Sequence, residues 1–210
     1  MYPRLPPASA LDGIVKDQGE SQSMIKYYDL LDDTRLPGRW QLGAPLDVGG
    51  DEIDPWQFKK GRLLELGCVP RFTLDLPGHP LDFSWAAFSI PVVHGRFVRL
   101  FEQLRVEGVQ FIQAQVDDQP EPWYILNSLH IIRCIDDARC EQVQYWKPED
   151  NRPDKLGEYR AVYGMRIDPA KVEDARIFRP WGWRVALIVS EDIKQAIEDT
   201  NLSGTRFVEV

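Results

Sequence analysis

Three features of this sequence predict an α+β fold, mostly antiparallel sheet with a few amphipathic helices and an N-terminal half rich in strands and turns. Stretches with strand-like alternation outnumber stretches with helical spacing. The two kinds do not alternate along the chain, which argues against a doubly wound parallel sheet. Residues 41–80 are crowded with glycine and proline, leaving room for short strands and turns but not for long helices. Of the 210 residues, 43% are hydrophobic and 11% aromatic, enough to bury a core and to exclude global disorder.

Along the chain, residues 1–23 mix Pro3, Pro6, Pro7, Gly13 and Gly19 with few bulky apolar groups and read as a flexible arm. Residues 24–31 read as a strand with aromatic faces, running into the turn Leu36-Pro37-Gly38-Arg39-Trp40. Phe97, Leu100, Phe101 and Leu104 recur at helical spacing, so an amphipathic helix is expected there, stopped by Gly108. Residues 109–116 and 123–133 read as two strands joined through a hairpin at Asp117-Asp118-Gln119-Pro120. Alternation over 159–167 and a nearly continuous apolar run over 184–189 give two more strands. Ser190 followed by Glu191 and Asp192 predicts a capped helix start, because acids near the first turn complement the helix dipole. Ile193, Ala196 and Ile197 form its inner stripe, Asn201 and Gly204 end it, and residues 205–210 alternate as a closing strand. The expected organisation is an arm at 1–23, a strand- and turn-rich subdomain at 24–93 and an α+β subdomain at 94–210.

Lys and Arg number 25 against 33 Asp and Glu, a net charge of −8. That balance disfavours a nucleic-acid ligand and suits a basic protein surface. Residues 1–7 hold no signal-length apolar run, and residues 85–93 and 183–189 are too short to span a membrane, so a cytoplasmic protein is expected. Cys68, Cys134 and Cys140 are an odd number and read as free thiols in a reducing compartment.

His79, His94 and His130 lack metal-ligand spacing, the cysteines lack knuckle or redox spacing, and no phosphate loop or nucleophile elbow occurs. No metal and no cofactor is expected. The adjacent acids Asp32-Asp33, Asp117-Asp118 and Asp136-Asp137 have the right chemistry for acid and base roles, but such pairs in turns ordinarily cap or meet solvent. Between Glu107 and Ala138 there are six acids and a single base, Arg133. The acids fall at strand ends, where loops gather into a rim beside Trp123 and Tyr124. A rim of this kind docks a basic partner quickly. The candidate contact residues are therefore Asp117, Asp118, Glu121, Asp136 and Asp137, with Trp123 or Trp146 as the aromatic anchor.

The order and spacing of several short motifs add a further reading. Tyr27-Tyr28, Leu36-Pro37-Gly38-Arg39-Trp40-Gln41-Leu42-Gly43, Ile90-Pro91-Val92-Val93, Trp123-Tyr124-Ile125-Leu126-Asn127, Ala175-Arg176-Ile177-Phe178-Arg179 and Gly204-Thr205-Arg206-Phe207 together resemble the α+β immunity-protein family of bacterial polymorphic toxin systems. The resemblance runs from about residue 24 to the end, while residues 141–158 carry no shared motif. It implies a cytoplasmic, non-enzymatic protein that binds and blocks a cognate secreted toxin, the implied partners being nuclease effectors delivered by contact-dependent or type VI-like systems. It carries over no catalytic residue. An enzyme that reverses a toxin's modification and a non-catalytic adaptor are the alternatives.

Overall fold

The computed structural model describes residues 25–210, so the arm expected at 1–23 lies outside the described residues. Strand β1 (Tyr27–Asp32) forms where the first aromatic alternation was read. After the Pro37-Gly38 turn come β2 (Gln41–Leu46), a 3₁₀ turn at Pro55–Lys59, β3 (Arg71–Leu76), β4 (Phe83–Ala86) and β5 (Ile90–His94). Helix α1 (Gly95–Gln103) follows, then the hairpin β6 (Val109–Val116) and β7 (Gln119–Ser128), and the two-residue β8 (Ile131–Ile132). The remaining elements are β9 (Gln142–Tyr145), β10 (Tyr159–Tyr163), β11 (Ile177–Pro180), β12 (Ile188–Ser190), α2 (Glu191–Asp199) and β13 (Thr205–Glu209).

These strands make a closed six-stranded barrel in the order β2-β3-β6-β7-β5-β4, a five-stranded sheet β13-β1-β12-β11-β8, and a two-stranded ribbon of β9 and β10. The architecture is broadly α+β, but the expectation of mostly antiparallel sheet needs correcting. Pairings β2–β4, β3–β6 and β8–β11 are parallel, so both the barrel and the five-stranded sheet are mixed. Parallel pairing needs a long crossover, and within the barrel the chain between β2 and β4 and between β3 and β6 supplies it, whereas β2 and β3 themselves pair antiparallel. Strands from both sides of residue 93 build the barrel, and β1 pairs with β12 and β13 in the larger sheet.

Two-residue alternation distributes the side chains among three cores. Along β7, Trp123 and Ile125 enter the barrel with Trp40, Phe72 and Val92, while Leu126 faces outward. Outside, Leu126, Val93 and Phe83 pack with Phe97 and Phe101 of α1, Ile193 and Ile197 of α2, and Leu30 and Val189 of the sheet. Phe178 and Ile188 point the other way, into a third cluster with Tyr27, Cys134 and Ile167. In the barrel, the Trp40 indole N–H donates to Ser84 Oγ at 2.7 Å, and its ring meets that of Trp123 at 4.9 Å.

Several local expectations shift by a few residues for identifiable reasons. Helix α1 ends before Gly108: Arg105 takes the left-handed turn at φ 50°, and Gly108, at φ 73°, opens β6 against the His130 ring. The run expected at 123–133 breaks after Ser128, because the carbonyls of His130 and Ile132 accept from Arg179 and Trp181 and draw β8 into the other sheet. The strand expected at 184–189 begins only at Ile188. Upstream, the carbonyls of Arg184 and Ala186 turn to the buried Arg179 guanidinium at 2.7 and 3.2 Å. Ser190 does occupy the N-cap of α2, but its hydroxyl meets the Asp192 carboxylate and caps no backbone N–H.

Arg179 also reaches the Ser89 carbonyl at 3.5 Å, so one side chain joins the five-stranded sheet to the barrel. The acid whose charge acts on it is Asp29, whose Oδ1 is buried without a hydrogen-bond partner among the described residues. Burial pushes the Asp29 carboxyl up from 3.8 to about 6, against the pull of the Leu187 amide and of Arg179 and Arg206. A carboxyl with a raised pKa in the folded state makes the native chain take up a proton between those values, so its contribution to stability declines as pH rises through that window. Relative to Asp29→Asn, the native protein should lose about 2 kcal/mol between those pH values. Denaturant unfolding across pH tests this, and parallel stability curves would refute it.

Gly204 gives a backbone prediction. It sits at φ 90°, and a Cβ there would lie 2.2 Å from the Phe83 carbonyl oxygen. The Gly204 carbonyl itself accepts from the Asp33 amide at 2.8 Å, which leaves the turn no freedom to retreat. Gly204→Ala should cost about 3 kcal/mol, read as a lowered urea midpoint with an unchanged slope.

Candidate functional site

The β9–β10 ribbon pairs with no other strand among the described residues. Sharp turns shape it, with Asn151 at φ 53° and Gly157 at φ 83° between the strands. It is fixed to the body at both ends, at its base by the Ile135–Ile167 bridge and at its loop end by the Tyr159 amide on the Gly182 carbonyl at 3.1 Å and an Arg184–Glu158 ion pair. Tyr145 and Tyr163 stand exposed on it. Tyr145 stacks on Tyr159 with centroids 4.8 Å apart, and both phenols donate to the Asp137 carboxylate, Tyr159 at 2.6 Å. Burial and that hydrogen bond hold the Tyr159 hydroxyl firmly protonated.

Beside the ribbon lies a cleft of about 310 Å³. Three segments wall it: the 3₁₀ turn with Trp56 and Lys59, the ribbon end with Trp146, Lys155 and Tyr159, and the turn carrying Trp183 and Arg184. Trp56 is half exposed and meets Phe88 edge to face at 6.0 Å, extending the aromatic surface outside the cleft. Lys59 is only 5% exposed and makes no ion pair or side-chain hydrogen bond among the described residues; its ammonium lies 5.0 Å from the Trp56 ring. Burial, then the charges of Arg179 and Lys155, lower its pKa to about 8. The Lys155 ammonium sits 5.6 Å from Trp56 and 5.4 Å from Trp146.

The acids expected to form one rim fall into two groups. Asp117, Asp118 and Glu121 occupy the β6–β7 hairpin at the start of β7, whereas Asp136 and Asp137 lie beyond its far end, after β8. Asp117 is 3.5 Å from Arg71, and Asp118 takes the left-handed turn position at φ 60°. Trp123 does not serve as a surface anchor: it is 3% exposed inside the barrel, between Trp40 and His94. Trp146 is partly exposed on the ribbon cleft. Trp56, Lys59 and Lys155 are not among the contact residues expected from the sequence, although the run Trp56-Gln57-Phe58-Lys59-Lys60 places two cations beside an indole.

Groups with nucleophilic chemistry are held in structural roles. Ser203 Oγ donates to Asp82 at 2.8 Å and accepts from the Asp82 amide, while His94 Nδ1 lies 3.5 Å from the other Asp82 oxygen. Serine and histidine thus both meet the carboxylate, without the hydroxyl-to-imidazole contact that activates a serine. Asp82 is further clamped by Arg96. Burial pushes the Cys134 thiol up to about 12, far from a reactive thiolate. Among the described residues no group of three or more His, Cys, Asp or Glu is placed to hold a metal. Asp32 pairs with Arg39 at 2.6 Å and Asp33 with Arg35 at 2.7 Å.

The model of a family described as Immunity protein family (Imm11) matches residues 20–210. The chain belongs to the Imm11 immunity protein family. No curated protein matches the Imm11 chain. Membership makes this an immunity protein, with a cognate toxin as its partner, and it agrees with the resemblance carried by the sequence motifs. Residues 141–158, where the sequence carries no motif of the resemblance, lie within the matched span; they hold β9 and the turns after it and supply part of one wall of the cleft.

Proposed function

We propose that this chain neutralises its toxin by stoichiometric occlusion in the cytoplasm, without catalysis, and that the toxin is a nuclease effector delivered by a contact-dependent or type VI-like system. The observation that carries the reading is the β9–β10 ribbon, which presents Tyr145 and Tyr163, with the partly exposed Trp146 just beyond β9, on a strand pair that joins no other strand among the described residues. Exposed aromatics on a rigid support are the usual anchors of a tight interface. A net charge of −8 opposes the basic surface with which a nuclease holds its substrate. Asp118 and Glu121, exposed at the hairpin and unpaired among the described residues, add charge that steers a basic partner.

Co-expression with the toxin domain encoded beside this chain tests the reading. Protection should track formation of a one-to-one complex, and protection by substoichiometric amounts would overturn occlusion in favour of an enzyme. Trp146→Ala should weaken the complex at least tenfold through faster dissociation. Reversing Asp118 and Glu121 to Lys should instead slow association and flatten its dependence on salt. Unchanged rates in both variants would remove these surfaces from the interface.

A further inference from the structure

The cleft beside the ribbon has a charge pattern that toxin binding does not explain. Most cations on its walls are already matched: Arg184 with Glu158, Arg160 with Asp150 at 2.8 Å, and Lys60 with Asp54 at 3.9 Å. Lys59 and Lys155 are the exceptions, with no carboxylate partner among the described residues, and both ammonium groups lie within 5.6 Å of one ring, that of Trp56. The Lys59 residue is 95% buried, and an ammonium largely withdrawn from water without an anion is costly unless something else compensates it. Two ammonium groups beside one indole call for a ligand of charge near −2, which a phosphate monoester supplies and a single carboxylate does not.

Aromatic surface is the second part of the pattern. Trp56, Trp146, Tyr159 and Trp183 line a cleft of about 310 Å³, at the small end of the range for ligand sites. Indole faces of this kind stack on a nucleobase with little regard to its identity. A long polynucleotide is disfavoured by the net charge of −8. We infer that this cleft binds a nucleoside monophosphate, with the phosphate between Lys59 and Lys155 and the base against the tryptophans. Binding a dianion would restore the ordinary pKa of Lys59, which burial and neighbouring cations depress in the free protein.

The inference does not depend on the toxin, so the full chain alone suffices as the sample. Tryptophan fluorescence and calorimetry would follow titrations with the four ribonucleoside monophosphates, adenosine, inorganic phosphate and a short Asp/Glu peptide. At least one monophosphate should bind saturably, at least tenfold more tightly than adenosine, phosphate or the peptide. Lys59→Met should weaken that binding at least tenfold while leaving the thermal midpoint equal or higher, because it removes an uncompensated buried charge. Lys155→Met, at the more exposed cation, should weaken it as well and serves if the first variant does not fold. No saturable monophosphate binding, equal binding of the peptide, or lysine variants that bind as the native chain does would each overturn the assignment.

Discussion

One buried guanidinium holds the two sheets of this protein in register. Arg179, inside β11, donates to the carbonyls of Arg184 and Ala186 and reaches that of Ser89 on the barrel side. Those carbonyls belong to irregular segments that no ladder satisfies, and a buried carbonyl without a partner costs free energy comparable to a lost hydrogen bond. Arginine suits the position because its planar fork serves several acceptors at once and its charge survives burial; here burial lowers its pKa only to about 10. The run before β12 is consequently a turn, and the loop bearing Trp183 and Arg184 is directed to the ribbon cleft. The surface assigned here to ligand and partner thus depends on an interaction in the core.

Elsewhere the cores follow from alternation. Successive residues of β7, β11 and β12 supply different clusters, so three apolar cores share the same few strands. A one-residue slip would exchange them, which makes the register strongly specified. Polar side chains fix it further. Asn127 donates to Gln110 and to the Arg62 carbonyl at 2.9 Å, and Gln110 exchanges two hydrogen bonds with the Leu64 backbone.

What was legible in the sequence was local. Helices α1 and α2 announced themselves through Phe97, Leu100 and Phe101 and through Ile193 and Ile197, because one face of a short helix needs only neighbouring residues. The β6–β7 hairpin was legible for the same reason. Parallel pairings such as Phe72 with Val116 were not, since they join distant segments and carry no turn signature. The acidic rim divided because Asp118 and Asp137 flank opposite ends of β7, a relation that sequence proximity conceals. Trp123 was legible after all: it stands two residues from Ile125, on the same face of an alternating strand. The cleft was beyond reach, because Trp56, Trp146 and Trp183 meet only when three separate segments fold together.

The barrel's closure has a mechanical meaning. Most neighbouring strands share several pairs, but β2 and β4 meet at Leu42 and Ala86 alone, with the Trp40–Ser84 hydrogen bond beside them. A ring yields at its thinnest rung, so this seam has the form of a clasp, the place where local opening of the barrel costs the fewest strand pairings. An indole and a hydroxyl, rather than a ladder, are the catch.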